Sequence, residues 1–479
     1  MHSPGKIDRQ AAQTPYLLLT CAIASLGGIL FGFDTAVISG TVALVEAQFD
    51  LDKIAVGWFG SSALVGAIAG SLAAGILSDA YGRKPVLILS ALLFFISALG
   101  SAIPPSFSVL IPARLVGGLG IGIASVLAPL YISELAPARI RGRLVAFYQL
   151  SIVLGILLAY FSNWALLHFS TTHTTSLTIV PWLHKILVSE VWRGMFAAEM
   201  IPAALFFLLL RGVPESPRWS IKAGKVQKGY DVLLKYHGAM KAMEELQAIR
   251  NSLARTPATF GELLRPGLRL ALIVGIGLSV FGQFTGVNII VYYGPDILRD
   301  AGFNFDSALK FQVAIGVINL VFTALALWKI DSWGRRNLLI GGMASVSISL
   351  FVIGLLFSLA QPPGIWIVVA LCLYMAGLAF SINAVIWVLL GEIYPTRLRG
   401  RAMSVATFAN WGSNFATAFV FPWFVAQIGM DAGFFVFAGF CLLAVLFFYK
   451  YVPETKGKSL EEIERYWMGK REERKGKKR

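Results

Sequence analysis

The chain has 479 residues, 57% hydrophobic and only 14% charged, where a soluble protein carries roughly 25% charged residues. Its formal net charge is +15, but the lysines and arginines are spread over alternate loops, which argues against a nucleic-acid partner. The three cysteines, Cys21, Cys372 and Cys441, all sit in apolar runs without metal-ligand spacing. They read as packing residues, with neither a disulfide framework nor a metal site implied.

Apolar runs fall near 15–40, 54–77, 85–103, 107–132, 143–168, 193–210, 268–299, 309–330, 338–359, 364–391, 402–427 and 432–450. A helical span needs about 20 such residues, so the expectation is an all-α membrane protein with twelve transmembrane helices. The first run is a full span and not a cleavable leader. Basic residues crowd at Arg83-Lys84, at Arg139 to Arg143, in 211–269, at Arg335-Arg336, at Arg397 to Arg401 and in the tail from Lys450. The opposite loops nearly lack them. That asymmetry predicts a multi-pass cell-membrane protein with both termini in the cytoplasm.

Residues 1–14 are polar. The first span carries Asp34 between Gly32 and Gly40, on one face with Phe31, Thr35 and Ile38. A carboxylate at a helix centre costs about 2.5–3.5 kcal/mol. Two readings stand: a proton-carrying group facing a cavity, or the cap of a helix break. The second span holds Gly66 and Gly70, spaced for close helix packing. It ends in Gly75-Ile76-Leu77-Ser78-Asp79-Ala80-Tyr81-Gly82-Arg83-Lys84. Asp79 is suited to the positive end of a neighbouring helix and Arg83 to a carboxylate. Such contacts would clasp the two halves and act as a gate. A second copy follows at Asp331-Ser332-Trp333-Gly334-Arg335-Arg336, 252 residues later.

Arg114 in the fourth span needs a buried partner, and Asp34 or Glu199 of the sixth span can supply it. The three residues form either an acid–base cluster or a static ion network that fixes helix register. Glu134-Leu135-Ala136-Pro137-Ala138-Arg139-Ile140-Arg141 is echoed by Glu392-Ile393-Tyr394-Pro395-Thr396-Arg397-Leu398-Arg399. Glu134, Arg141, Glu392 and Arg399 therefore join Asp79, Arg83, Asp331 and Arg335 as gating candidates. The paired motifs imply an internal repeat of about half the chain. The expected division is a six-helix bundle over 1–211, a cytoplasmic linker with short helices over 212–267, and a second six-helix bundle with a basic tail over 268–479.

In the fifth span Gln149 places an amide in the membrane. The seventh contains Gly282-Gln283-Phe284-Thr285-Gly286-Val287-Asn288. On a regular helix Asn288 points about 140° away from Gln283, but a break at Thr285-Gly286 would turn both to one cavity. In the eleventh span Asn410, Ser413, Asn414 and Thr417 make one polar stripe. That stripe suits either a solute or interhelical hydrogen bonding. Amides bind hydroxyl groups and aromatic faces meet the C–H side of a sugar ring, so the pattern points to a neutral, hydroxyl-rich solute.

The Gly-x-x-x-Asp-x-x-Gly-Arg-Lys motif resembles a signature of the major facilitator superfamily. With Pro214-Glu215-Ser216-Pro217-Arg218 and Pro453-Glu454-Thr455-Lys456-Gly457, the chain resembles the sugar porter family over residues 15–465, and bacterial sugar–proton symporters in particular. The resemblance implies two pseudo-symmetric six-helix bundles in parallel orientation. It implies sugar contacts at Gln283, Asn288, Asn319, Trp387, Asn410, Trp411 and Asn414, to which Gln149 and Tyr292 add an amide and an aromatic face. Two positions depart from the pattern. Gly282 stands where the family has a first glutamine, and Asn383-Ala384 where it often has Gly-Pro. Asn383 shares a face with Trp387, and either replaces the lost amide or satisfies a backbone carbonyl.

The expected function is alternating-access symport of a monosaccharide or polyol with protons, by a monomer and without a cofactor. A passive facilitator with the same site is the alternative, as is an inositol carrier. The short polar tail argues against a nutrient sensor. His168, His173 and His184 form no catalytic constellation, so no enzyme is expected.

Overall fold

The computed structural model describes residues 5–137, 140–173, 180–253, 260–264, 268–395, 398–458, 462–463 and 465–467. Arg139 and Arg397 of the basic clusters lie outside these residues. Every regular element among them is helical. In chain order these are α1 (Gly5–Phe49), α2 (Lys53–Tyr81), α3 (Arg83–Ala102), α4 (Phe107–Leu135) and α5 (Arg141–Thr172). A short α6 (Pro181–His184) and a π turn lead into α7 (Val191–Ala197) and α8 (Met200–Leu210). Next come α9 (Pro217–Lys222), α10 (Val226–His237), α11 (Ala239–Leu253) and α12 (Phe260–Leu263). The remainder is α13 (Leu268–Gln283), α14 (Val287–Asp300), α15 (Phe305–Trp333), α16 (Arg335–Phe357) and α17 (Gly364–Leu378). A π turn at Ala379–Asn383, α18 (Ala384–Glu392), α19 (Arg399–Ile428) and α20 (Met430–Tyr451) complete it.

Among the described residues, eleven helical stretches are long and apolar enough to cross a membrane. Three of them are interrupted: Val191–Leu210, Leu268–Asp300 and Gly364–Glu392. The twelfth span is α19. At 30 residues it reaches about 45 Å, beyond the ~30 Å hydrocarbon core. Its polar stripe of Asn410, Ser413, Asn414 and Thr417 lowers its hydropathy, so composition alone passes over it.

The chain forms two compact units. The first comprises Met1–Ile38 and Ser62–Thr256. In it α3 packs along α4 and α8. Gly66 and Gly70 of α2 lie directly against α4: a Cβ at Gly66 would collide with the Leu115 carbonyl, and one at Gly70 with the Leu119 backbone. The linker helices share a small core of Ile221, Leu233, Ala242 and Leu246. They dock on this unit through Tyr236 Oη to Thr20 Oγ1 at 3.0 Å and His237 Nε2 to Leu135 O at 2.9 Å.

The second unit comprises Ser39–Ser61 and Pro257–Arg479. Here α16 packs along α20 and α17, and α13 along α19. The last turns of α1 and first turns of α2 belong to this unit. Trp58 meets Phe415 edge-on at 6.4 Å, and a Cβ at Gly57 would collide with the Phe419 carbonyl. The tail folds back through Trp467, fully buried, whose indole N–H donates to Ile393 O at 2.9 Å.

Candidate functional site

In the first unit Asp34 and Arg114 form a fully buried ion pair. Arg114 Nη2 also donates to Asp34 O at 3.2 Å, and its guanidinium lies 5.2 Å over the Phe196 ring. Glu199 is 1% exposed and interacts electrostatically with both Asp34 and Arg114. Asp34 Oδ2, Arg114 Nε and both Glu199 carboxylate oxygens have no hydrogen-bond partner. Gly117 makes room for the cluster, since a Cβ there would sit 2.6 Å from Asp34 Oδ2. Glu199 stands in the two-residue break between α7 and α8. Pro202 explains that break: it has no N–H for the Ala198 carbonyl and its ring crowds that carbonyl. Further along α1, Asn163 of α5 donates to Val37 O at 3.1 Å. Gln149 is half-buried on α5.

In the second unit the seventh span breaks after Gln283. Gly286 takes a left-handed φ of 80°, a conformation that costs an L-residue about 1–2 kcal/mol. Thr285 Oγ1 donates to Gly282 O at 2.7 Å and accepts from Val287 N at 3.3 Å. Tyr374 Oη donates to Thr285 O at 3.0 Å, which pins the irregular turn from α17. The break brings two amides together: Asn288 Nδ2 donates to Gln283 Oε1 at 2.6 Å. Gln283 Nε2 in turn donates to Asn410 Oδ1 at 2.8 Å. Three amides from α13, α14 and α19 thus make one chain, each with further capacity to donate or accept.

The other candidates in this unit are placed less directly. Asn414 is buried with Oδ1 unpartnered, while Thr417 turns back to the Ser413 and Asn414 carbonyls of its own helix. Asn319 is 3% exposed and accepts from Thr323 Oγ1 at 3.3 Å. Tyr292 and Trp411 are buried, and Trp387 is 38% exposed. Asn383 closes the π turn of the tenth span. Gly282 faces Ile382, whose Cγ1 would lie 3.1 Å from an added Cβ, so the tenth span occupies the space beside it.

Asp79, Arg83 and Glu134 in the first unit and Asp331, Arg335 and Glu392 in the second form matching clusters. Arg83 grips Glu134 with Nε at 3.0 Å and Nη2 at 3.1 Å, and Ser216 donates to the same carboxylate at 2.5 Å. Arg335 reaches Glu392 at 3.2 Å, and Thr455 donates to it at 2.5 Å. Glu215 accepts Arg83 N at 2.9 Å and Lys84 N at 3.2 Å, capping α3. Glu454 accepts Arg335 N at 3.0 Å and Arg336 N at 3.1 Å, capping α16. Gly82 and Gly334 enter those caps at φ 104° and 84°. Asp79 pairs with Arg83 at 3.3 Å and Lys222 at 2.9 Å, and Asp331 with Arg335 at 2.9 Å. Arg141 approaches Glu245 at 3.9 Å, and Arg399 lies near Glu392. Each of these partners lies in the same unit as the residue it contacts.

The capping roles of Glu215 and Glu454 go beyond the motifs in which they stand. Their signal was the spacing of a glutamate-serine or glutamate-threonine pair after each half. Tyr374, Asn163 and Gln312 carried no pattern. Gln312 is fully buried and donates to Ile290 O at 2.9 Å.

The family described as "Sugar (and other) transporter" matches residues 20–467. The D-xylose-proton symporter of Escherichia coli K12 is 39% identical, over 94% of this chain and 96% of its own length. The arabinose-proton symporter of Bacillus subtilis is 40% identical, over 94% and 95%. Among solved structures, the partially occluded inward-open conformation of the xylose transporter XylE from E. coli matches with a TM-score of 0.80 and 37% identity. That match covers 93% of this chain and all of the other. With twelve spans, duplicated arginine clusters and these whole-length matches, the chain belongs to the sugar porter family of the major facilitator superfamily, a family of membrane transporters and not of enzymes.

Proposed function

We propose that the chain carries a monosaccharide or polyol across the cell membrane with a proton, by alternating access. The observation that carries the proton coupling is the Asp34–Arg114–Glu199 cluster. Fully ionised, two carboxylates and one guanidinium leave one negative charge uncompensated in a buried site, which is costly. One bound proton restores neutrality, with Asp34 as the carrier, Arg114 as its counter-ion and Glu199 as the neighbour that raises the demand. The relatives named as xylose–proton and arabinose–proton symporters support the same coupling.

The solute contacts are Gln283, Asn288, Tyr292, Asn319, Asn383, Trp387, Asn410, Trp411 and Asn414 in the second unit and Gln149 in the first. The amide chain supports a neutral polyhydroxyl solute, because each amide both donates and accepts, as hydroxyl groups do. The gating set is Asp79, Arg83, Glu134, Arg141, Asp331, Arg335, Glu392 and Arg399. The functional division is two six-helix bundles, 1–211 and 268–479, with 212–267 between them. The protein works as a monomer with both termini in the cytoplasm, as the placement of lysine and arginine supports.

Uptake of labelled xylose, arabinose, glucose, galactose and myo-inositol into proteoliposomes tests the solute class. Saturable uptake of at least one is expected. Uptake of none would contradict the amide-chain assignment.

A further inference from the structure

A cleft of about 470 Å³ opens on the first unit where α2, α3, α9 and α10 meet, within the size range of small-molecule sites. Its walls carry Lys84, Lys225 and Lys228, with Tyr81 and Trp219 as aromatic sides. Lys225 Nζ stands 5.0 Å over the Trp219 ring, and Lys84 Nζ donates to Arg211 O at 2.8 Å. Glu215 also lines the cleft, but its carboxylate is taken up by the backbone N–H groups of Arg83, Lys84 and Ser216. Three lysines therefore line the cleft beside one carboxylate that is already hydrogen-bonded. Nothing in the transport cycle proposed above uses this positive concavity.

The surroundings of the cleft select its occupant. Pro85 forms part of the wall and begins an exposed apolar stripe up α3. That stripe continues through Leu89, Leu92, Ile96 and Leu99, which are 37–47% exposed. On α2, Leu72 and Ile76 are 59% and 76% exposed. These positions lie on membrane-spanning helices, so acyl chains cover them. A ligand with a phosphate in the cleft and hydrocarbon along α3 satisfies both features at once. We infer that this cleft is a binding site for an anionic phospholipid, its phosphate held by Lys84, Lys225 and Lys228. The site ties the linker helices α9 and α10 to the bilayer surface at the entrance of α3. Anionic lipids are concentrated in the cytoplasmic leaflet, the side on which basic residues collect.

The test uses the full-length purified protein in mixed micelles with equimolar phosphatidylglycerol and phosphatidylcholine, and mass spectrometry of the retained lipid. Wild type is expected to retain phosphatidylglycerol selectively. Lys225→Gln/Lys228→Gln removes two basic groups at the membrane surface and should lower that selectivity roughly thirty-fold. Lys225→Arg/Lys228→Arg should retain it. Lys241→Gln/Arg250→Gln, which removes the same charge from the exposed face of α11, should leave it intact. An equal loss in the α11 variant would reduce the effect to overall charge and overturn the site. Displacement of phosphatidylglycerol by inorganic phosphate would assign the cleft to a soluble anion and overturn the lipid.

Discussion

Asp34 offers two carboxylate oxygens to the interior of the first unit, and Arg114 takes one of them. The other oxygen, Oδ2, is buried without a hydrogen-bond partner, and it is the atom to which the proposed coupling proton would bind. The amides of the second unit are likewise partly used. Asn288, Gln283 and Asn410 hold one another at 2.6 and 2.8 Å and keep donors and acceptors in reserve. Asn288→Ala removes one end of that chain. It is predicted to weaken sugar binding by about 1–2 kcal/mol, or roughly 5- to 30-fold, as read by calorimetry; unchanged affinity would place the sugar elsewhere. At this scale the charged residues were legible in the sequence, because an ionisable group in an apolar run must find a partner, and the candidates were few. Tyr374 was not. A tyrosine that donates to a backbone carbonyl leaves no mark in composition or spacing.

Helix interruptions place these groups. The break after Gln283 was legible because Thr285-Gly286 supplies a hydroxyl for local bonding and a residue free to take positive φ. Gly286→Ala puts a Cβ at φ 80° and should cost about 1–2 kcal/mol. It should also loosen the Gln283–Asn288 contact, so the melting temperature and sugar affinity are expected to fall together; a fall in neither would show that the turn tolerates a side chain. The break at Glu199 follows from Pro202, yet an apolar run with one proline still reads as a single span. The π turn at Ala379–Asn383 had no such marker. The caps are a further element-scale device. Glu454→Gln keeps the shape of the α16 cap but removes its charge from the helix N-terminus, where an anion is worth about 0.3–1 kcal/mol. A small drop in melting temperature is predicted, and Glu215→Gln should match it at α3. A change in one half only would show that the two clusters are not equivalent.

The duplicated motifs made the internal repeat readable from sequence alone, and the structure extends it past the spans. Glu215 and Glu454 cap equivalent helices. His237 of the linker and Trp467 of the tail each bond the carbonyl that follows the clamped glutamate, Leu135 O and Ile393 O. Sequence comparison of the halves could not reach this last equivalence, because His and Trp do it with different rings at different spacings. For the whole molecule, the consequence of coupling is energetic. One charge moved across about 100 mV yields roughly 2.3 kcal/mol, and one pH unit about 1.4 kcal/mol. Together they sustain an accumulation of several hundredfold. The measurement that tests this most directly is sugar uptake into proteoliposomes with and without an inward proton gradient, in wild type and Asp34→Asn. The account predicts gradient-driven accumulation in wild type and its loss in Asp34→Asn, with sugar exchange preserved. Equilibration without accumulation in wild type would contradict it and make the protein a passive facilitator, with the Asp34 cluster serving structure alone.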